Sequence, residues 1–303
     1  MWQRASRANQ CPVCKRDHYC TFNITKGLVR CTRAQSDKPS VDSHGGIAWI
    51  HKIGESSEFK ELAPKPPTPK LALSFVNQLA EGMRSHHCAS HKRDTEADHL
   101  GVAPWSLACL DVGIGWTEYG REFSSWPSRD SRNRIVGITR RFPDGKKLCI
   151  KGTSNSGLFI PSCNDKKYWR RVKTLWVVEG GSDVAMAISH GMPAVGRTSN
   201  SGGSILLSRW IPEHCPNVSK VIIWGENDYR QPCAVRCGKE HCPSCFPGLY
   251  GAKHTKKDLE CRLPREVVIR MPTDGSKDIR EMLAKDSLHG LPCHECRIYP
   301  TLS

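Results

Sequence analysis

Twice in the second half of the chain, an apolar run of strand length ends in acids. Leu175-Trp176-Val177-Val178 runs into Glu179-Gly180-Gly181-Ser182-Asp183, and Lys220-Val221-Ile222-Ile223-Trp224 runs into Gly225-Glu226-Asn227-Asp228. Around them, strand-like stretches at 174–178, 194–196, 220–224 and 266–270 alternate with helical stretches at 182–190, 204–210, 252–262 and 278–283. That order predicts an α/β fold with a parallel sheet and crossover helices. Ligands of such open sheets bind at the carboxyl ends of strands, where both acidic clusters fall. Gly180 and Gly181 allow a sharp turn into the next helix. Glu226 and Asp228, at alternate positions, share one face in extended backbone.

Several carboxylates converging at strand ends repel one another unless a cation neutralises them. Hard oxygen donors suit Mg²⁺ or Mn²⁺, and such an ion clamps a triphosphate and stabilises attacking and leaving oxygens. Glu179, Asp183, Glu226 and Asp228 are therefore the candidate catalytic residues.

Upstream the texture changes. Residues 134–142 alternate and are rich in β-branched side chains, Pro143-Asp144-Gly145-Lys146 is a turn signal, and 147–150 returns, which predicts a β-hairpin in an antiparallel sheet. Residues 129–151 carry Arg129, Arg132, Arg134, Arg140, Arg141, Lys146, Lys147 and Lys151 against two acids, with Trp126 and Phe142 interleaved. The whole chain of 303 residues has a net charge of +15, which points to a polyanionic partner. Arginine and lysine pair with phosphates while aromatic rings stack on bases. Two helices are expected before this sheet, at 71–83 and 102–110, the second with Pro104 in its first turn.

Sixteen cysteines are present. No apolar run approaches the roughly 18 residues of a membrane span, and residues 1–10 are polar, so the expectation is a cytoplasmic protein with no membrane partner and reduced thiols. Dense cysteine then reads as metal binding. Cys11, Cys14, Cys20 and Cys31 follow a C-x2-C-x5-C-x10-C spacing suited to tetrahedral Zn²⁺, with His18 as an alternative to Cys20. Cys233, Cys237, Cys242 and Cys245 form a second set, C-x3-C-x4-C-x2-C, expected as a zinc knuckle inserted at 230–248. Cys293, His294 and Cys296 make half a site that His86, His87, Cys88 and His91 could complete. Cys109, Cys149, Cys163, Cys215 and Cys261 stand alone. Ala63-Pro64-Lys65-Pro66-Pro67-Thr68-Pro69 has polyproline II character and reads as a linker.

Val178-Glu179-Gly180-Gly181-Ser182-Asp183, with Gly225-Glu226-Asn227-Asp228, resembles the TOPRIM domain of primases and topoisomerases. The resemblance implies that Glu179 acts as acid/base or metal ligand and that Glu226 and Asp228 are the metal pair. Glu226 departs from the pattern, which has Asp there. Gly275-Ser276-Lys277-Asp278 resembles that family's Lys-Asp stretch. The basic sheet, from Trp116 through Lys151-Gly152, resembles the polymerase-core lobe that precedes TOPRIM in phage and bacterial primases. The first cysteine set resembles their amino-terminal zinc-binding domain in a compact phage or plasmid form. The resemblance implies a zinc-ribbon-like module at 1–40, a linker at 41–70, a mixed α+β basic lobe at 71–171, a TOPRIM parallel sheet with flanking helices at 172–288 and a tail at 289–303. It implies a DNA primase that joins ribonucleoside triphosphates on single-stranded DNA with Mg²⁺ or Mn²⁺ and two structural zinc ions. Arg129, Arg140, Lys146, Lys151 and Lys277 would hold template and nucleotide. No Gly-x4-Gly-Lys-Ser/Thr loop is present, so a helicase would act in trans. Two other readings use the same residues: a TOPRIM nuclease, or a zinc-containing nucleic-acid-binding protein with degenerate acids.

Overall fold

A computed structural model describes residues 2–17, 19–23, 25–41, 47–53, 70–163, 166–199, 202–228, 246–273 and 275–284. These form two compact units, one made by the described residues up to 53 and one by those from 70 to 284. Among the described residues no helix is long and apolar enough to cross a membrane.

The first unit is a five-stranded antiparallel sheet. Its strands are β1 (Gln3–Arg4), β2 (Thr21–Asn23), β3 (Leu28–Cys31), β4 (Pro39–Val41) and β5 (Ile47–Lys52), in the order β1-β2-β3-β5-β4. Gly27, with φ of 56°, makes the turn between β2 and β3. The core is small: Ala5, Phe22 and Val29 pack with the buried Cys11, Cys20 and Cys31. A unit of this size cannot bury enough apolar surface to stand on packing alone, so the cysteines occupy the place a larger core would fill.

The second unit is built on a nine-stranded sheet. Its elements run α1 (Leu73–Arg84), α2 (Ala89–Leu100), α3 (Pro104–Cys109), β6 (Gly113–Trp116), β7 (Glu122–Arg129), β8 (Ile135–Arg141), β9 (Lys147–Cys149), β10 (Leu158–Phe159), α4 (Lys166–Arg171), β11 (Thr174–Glu179), α5 (Gly181–Ser189), β12 (Ala194–Arg197), α6 (Ser204–His214), β13 (Lys220–Trp224), α7 (Pro247–Glu260), β14 (Glu266–Arg270) and α8 (Ile279–Ala284). The strand order is β14-β13-β11-β12-β10-β7-β8-β9, with β6 on β7. The first four strands of that order are parallel, and the rest pair antiparallel. The short β10 pairs with both β12 and β7, so one sheet runs through the basic and the acidic segments.

Both faces of the parallel part are covered. Leu175, Val177, Val195, Val221 and Ile223 pack with Leu207, Trp210 and Leu259 of α6 and α7. Val178, Ala194 and Trp224 pack on the other face with Leu107 of α3, Val184 and Ala187 of α5, and Leu283 of α8. Burial on both sides is why these strands read as unbroken apolar runs.

Two elements depart from expectation. Helix α2 had no periodic signal, because part of its buried side is polar. Lys92, itself buried, reaches the half-buried Glu122 at 2.8 Å, and Glu96 reaches Arg141 at 2.8 Å in a nearly enclosed pair. Cys109 and Cys163, expected as solitary reduced thiols, are joined in a disulfide with their Cα atoms 4.9 Å apart. Sequence separation of 54 residues concealed the pair. The fold brings the end of α3 against the segment after β10, where the Ser162 N–H donates to the Cys109 carbonyl at 2.6 Å.

Leu175, fully buried on β11 between β12 and β13, tests this architecture. Leu175→Ala is expected to cost about 2–5 kcal/mol of unfolding free energy, read by urea denaturation. A loss within experimental error of zero would show that this strand is not central.

Candidate active site

Parallel pairing puts the carboxyl ends of β11 and β13 at one edge. Val177 pairs with Ile223, so Glu179 leaves β11 level with the start of the Gly225-Glu226 segment. Gly180 holds φ 85° and ψ 158°, a conformation closed to side chains, and α5 starts at once. A Cβ on Gly181 would stand 2.6 Å from the Trp126 ring. These two glycines let Asp183, in the first turn of α5, sit beside Glu179 at the same opening.

The opening is a cavity of about 490 Å³ whose lining includes Glu179, Asp183, Glu226, Asp278, Arg141, Lys147, Lys277 and Arg280. Four acids face four cations. Asn227 ties together the loops that carry Glu226 and Lys277-Asp278: its side chain donates to the carbonyls of Pro272 at 3.0 Å and Ser276 at 2.8 Å, and its backbone N–H donates to that of Lys277 at 2.6 Å. Asp278 accepts the Glu281 N–H at 2.8 Å and so also starts α8.

The carboxyls are under electrostatic stress. Burial, with the charges of Asp278 and Glu226, pushes Asp183 well above the usual carboxylate range. Burial, then the Glu179 charge, raises Glu226 to about 7. Burial raises Glu179 as well, although Arg197 opposes it. Arg197 lies across from Glu179 in the β11–β12 register, is almost wholly buried, and donates to Thr255 Oγ1 at 2.5 Å. Lys147 is lowered by the protein crowded around it and by Arg141. Burial is the largest cause of all three shifts, neighbouring carboxylates add to it, and hard oxygen donors gathered in one opening are what Mg²⁺ takes. The residues present therefore fit such an ion, with Glu179, Glu226, Asp183 and Asp278 able to hold it.

The other expected residues are spread more widely. Asp228 is not part of the cavity lining; its Oδ1 accepts the Gly248 N–H of α7 at 2.7 Å. Arg129 is engaged with Asp111 and with the Asn133 carbonyl, away from the carboxylates. Arg140 lies over the rings of Phe123 and Phe142, at 5.6 and 5.8 Å. Lys146 and Lys151 are exposed at turns. Lys277 does line the cavity. The residues that sequence reasoning left out of the site are Asp278, Arg280, Arg141, Lys147 and Arg197. The signal for Lys147 lay in register: it pairs with Arg141 across the β8–β9 hairpin, so the two share a face.

In the first unit, Cys11, Cys14, Cys20 and Cys31 converge, with their sulfurs within 4.8 Å of one another. Cys11 and Cys14 sit on a tight turn in which the Lys15 N–H donates to the Cys11 carbonyl at 2.8 Å. Cys20 and Cys31 flank the β2–β3 hairpin. The Cys14–Cys20 and Cys20–Cys31 sulfur separations are 3.6 and 3.8 Å. A tetrahedron with Zn–S bonds of about 2.3 Å has an edge of about 3.8 Å, so the thiols already stand at ligand spacing. The N–H groups of Arg33 and Ala34 point at the Cys31 sulfur, at 3.4 and 3.2 Å, as suits a thiolate. Burial pushes Cys11 up to about 12. At Cys14 burial is outweighed by a hydrogen bond from the Arg16 backbone and by the neighbouring thiols, which bring it to about 7. The fit is to Zn²⁺. His18, the second cysteine set (Cys233, Cys237, Cys242, Cys245), the tail pair Cys293 and Cys296, and residues 54–69 lie outside the described residues.

No family model matches the chain, and no curated protein matches it. Solved structures do. The zinc-binding and RNA polymerase domains of the Aquifex aeolicus primase superpose with a TM-score of 0.51 at 14% identity, over 71% of this chain and 59% of that one. The E. coli primase catalytic core gives 0.47 at 17% identity, over 70% and 75%. The primase fragment of the bacteriophage T7 primase-helicase gives 0.45 at 15% identity, over 94% and 96%. At these identities the likeness is one of fold: a mixed α/β fold similar to that of primase catalytic domains.

Two outcomes follow from the site. Glu226 binds its proton more tightly in the folded state than its ordinary 4.5, so the metal-free protein should lose stability as pH rises from about 4.5 to about 7. The rise in Tm on adding Mg²⁺ should grow over that interval and shrink in Glu226→Gln; a rise independent of pH would refute the carboxylate assignment. For the thiols, a zinc chelator should open β2 and β3 to hydrogen exchange while β11 and β13 stay protected. Unchanged protection of β3 would count against a structural ion.

Proposed function

We propose that this chain is a DNA primase, a nucleotidyltransferase that joins ribonucleoside triphosphates on a single-stranded DNA template. The observation that carries the reading is the cavity at the carboxyl edge of the parallel sheet, where Glu179, Asp183, Glu226 and Asp278 face Arg141, Lys147, Lys277 and Arg280. In this reading the acidic half is a TOPRIM domain, and the four-cysteine unit is a zinc-binding module that reads template and holds primer.

Mg²⁺ or Mn²⁺, held by Glu179, Glu226 and the flanking aspartates, would supply neutralisation of the triphosphate and of the oxygens that attack and leave. The chain's own groups do the rest. Glu179 accepts the proton of the primer 3′-hydroxyl as that oxygen attacks the α-phosphorus and pyrophosphate departs. Lys147, Lys277 and Arg280 grip the phosphates of the incoming nucleotide. Arg141, braced by Glu96, sets the basic wall of the cavity. Asp228 acts at one remove, because its bond to Gly248 fixes the loop that carries Glu226. Arg140, Lys146 and Lys151 lie outside the lining, on the β8–β9 hairpin and the turn after it, where they suit template phosphates. Arg129, tied to Asp111, holds the lobe together. A replicative helicase would join in trans.

The test is primer synthesis by purified full chain on single-stranded DNA with labelled ribonucleotides and Mg²⁺ or Mn²⁺. Short products are expected, falling at least about 100-fold in Glu179→Gln, the scale of a lost acid–base group. Shortening of the template that depends on Glu179, without new products, would replace the primase reading with a nuclease. Binding with neither product nor cleavage would indicate a nucleic-acid-binding protein.

A further inference from the structure

The corner between α1 and α2 holds a cluster that the proposed reaction does not use. Ser85 ends α1, Cys88 begins α2, and His86 and His87 lie between them. One ligand atom from each of His86, His87 and Cys88 lies within 4.8 Å of the other two. Here the two imidazoles stack with centroids 4.3 Å apart, and Trp116 stands against His86 at 5.0 Å. The Cys88 N–H donates to His86 Nδ1 at 3.2 Å, which marks that nitrogen as the one carrying a lone pair.

We propose that His86, His87 and Cys88 form a second transition-metal site, a two-nitrogen, one-sulfur set for a zinc-class divalent ion with its fourth position open. Imidazole and thiolate prefer Zn²⁺ to Mg²⁺, so the site does not compete for the ion of the carboxylate cavity. Bonds of about 2.0–2.1 Å to nitrogen and about 2.3 Å to sulfur require the donors to stand about 3.3–3.6 Å apart. The present spread, up to 4.8 Å, closes by roughly 1 Å, well within the reach of side-chain torsions. His87 is exposed, and His86 and Cys88 are half-buried, so the donors are free to move and the ion has a way in. His91, one turn along α2, is not among the converging groups.

The position gives the ion a structural consequence. Helix α2 starts with no side-chain cap, and an ion bridging Cys88 to the preceding histidines would fasten that start. The same helix carries Glu96, which holds Arg141 in the cavity wall. Stiffening the corner therefore acts on the element that braces the basic side of the cavity.

Alkylation of individual thiols tests the site in the full chain without counting metals. The reduced protein is treated with iodoacetamide over a Zn²⁺ titration, and each cysteine is followed by peptide mass spectrometry. Cys88 alkylation is expected to slow about tenfold once free Zn²⁺ reaches about ten times its dissociation constant, by mass action. Cys261, an exposed free thiol, is the internal control and should not change. His87→Ala should abolish the protection of Cys88 while leaving that of Cys14 and Cys31 intact. Equal reactivity of Cys88 with and without Zn²⁺ would overturn the proposal. So would protection that survives His87→Ala.

Discussion

Carboxylates converging at one edge of a buried parallel sheet are the constraint that the second unit has to accommodate. Pairing β11 parallel to β13 delivers Glu179 and Glu226 to one edge of the sheet, and α5 and the loop before α8 add Asp183 and Asp278. Four such groups in one partly buried opening are tolerable only if protons or cations share the space. Burial first, and then neighbouring carboxylates, raise the pKa values of Glu179, Asp183 and Glu226. Arg141, Lys147, Lys277 and Arg280 supply part of the missing charge from the other walls, and a divalent ion would supply the rest. An opening of this composition suits a highly anionic ligand held through metal and cations together.

That arrangement depends on the continuity of the sheet. Strand β10, only two residues long, pairs with β12 on one side and β7 on the other, and so couples the basic hairpin to the acidic edge. Its pairing helps to set Lys147 and Arg141 relative to Glu226. The coupling is reinforced by Trp126 of β7 packed on Gly181, where a single added methyl would collide. Polar contacts brace the outer side. Glu96 holds Arg141, and Lys92 holds Glu122, so helix α2 is docked partly by ion pairs rather than by an apolar stripe alone.

The first unit reaches order by another route. Its sheet is short and its apolar core small, so convergence of four thiols near the edge length of a zinc tetrahedron carries what packing does not. Backbone N–H groups of Arg33 and Ala34 reach the Cys31 sulfur, although burial raises the pKa of that thiol.

The strands of the parallel sheet were legible in the amino-acid sequence almost to the residue, because strands buried on both faces must be apolar throughout. The cysteine spacing and the acids at the strand ends were legible for a different reason: metal-ligating and ionisable groups closely spaced in sequence announce their chemistry whatever the fold. Helix α2 was not, since Lys92 and Glu96 occupy buried positions where an amphipathic pattern demands apolar residues. The Cys109–Cys163 pair was not, since nothing in a separation of 54 residues announces proximity. Within the site, Glu179, Asp183, Glu226 and Lys277 were named from sequence, whereas Asp278 and Lys147 join them in the cavity lining without having been named for it. Sequence by itself determined which chemical groups end each strand and which ions they suit. Tertiary structure decided which of them share one cavity, because strand register and loop closure, not order along the chain, set the direction of each side chain.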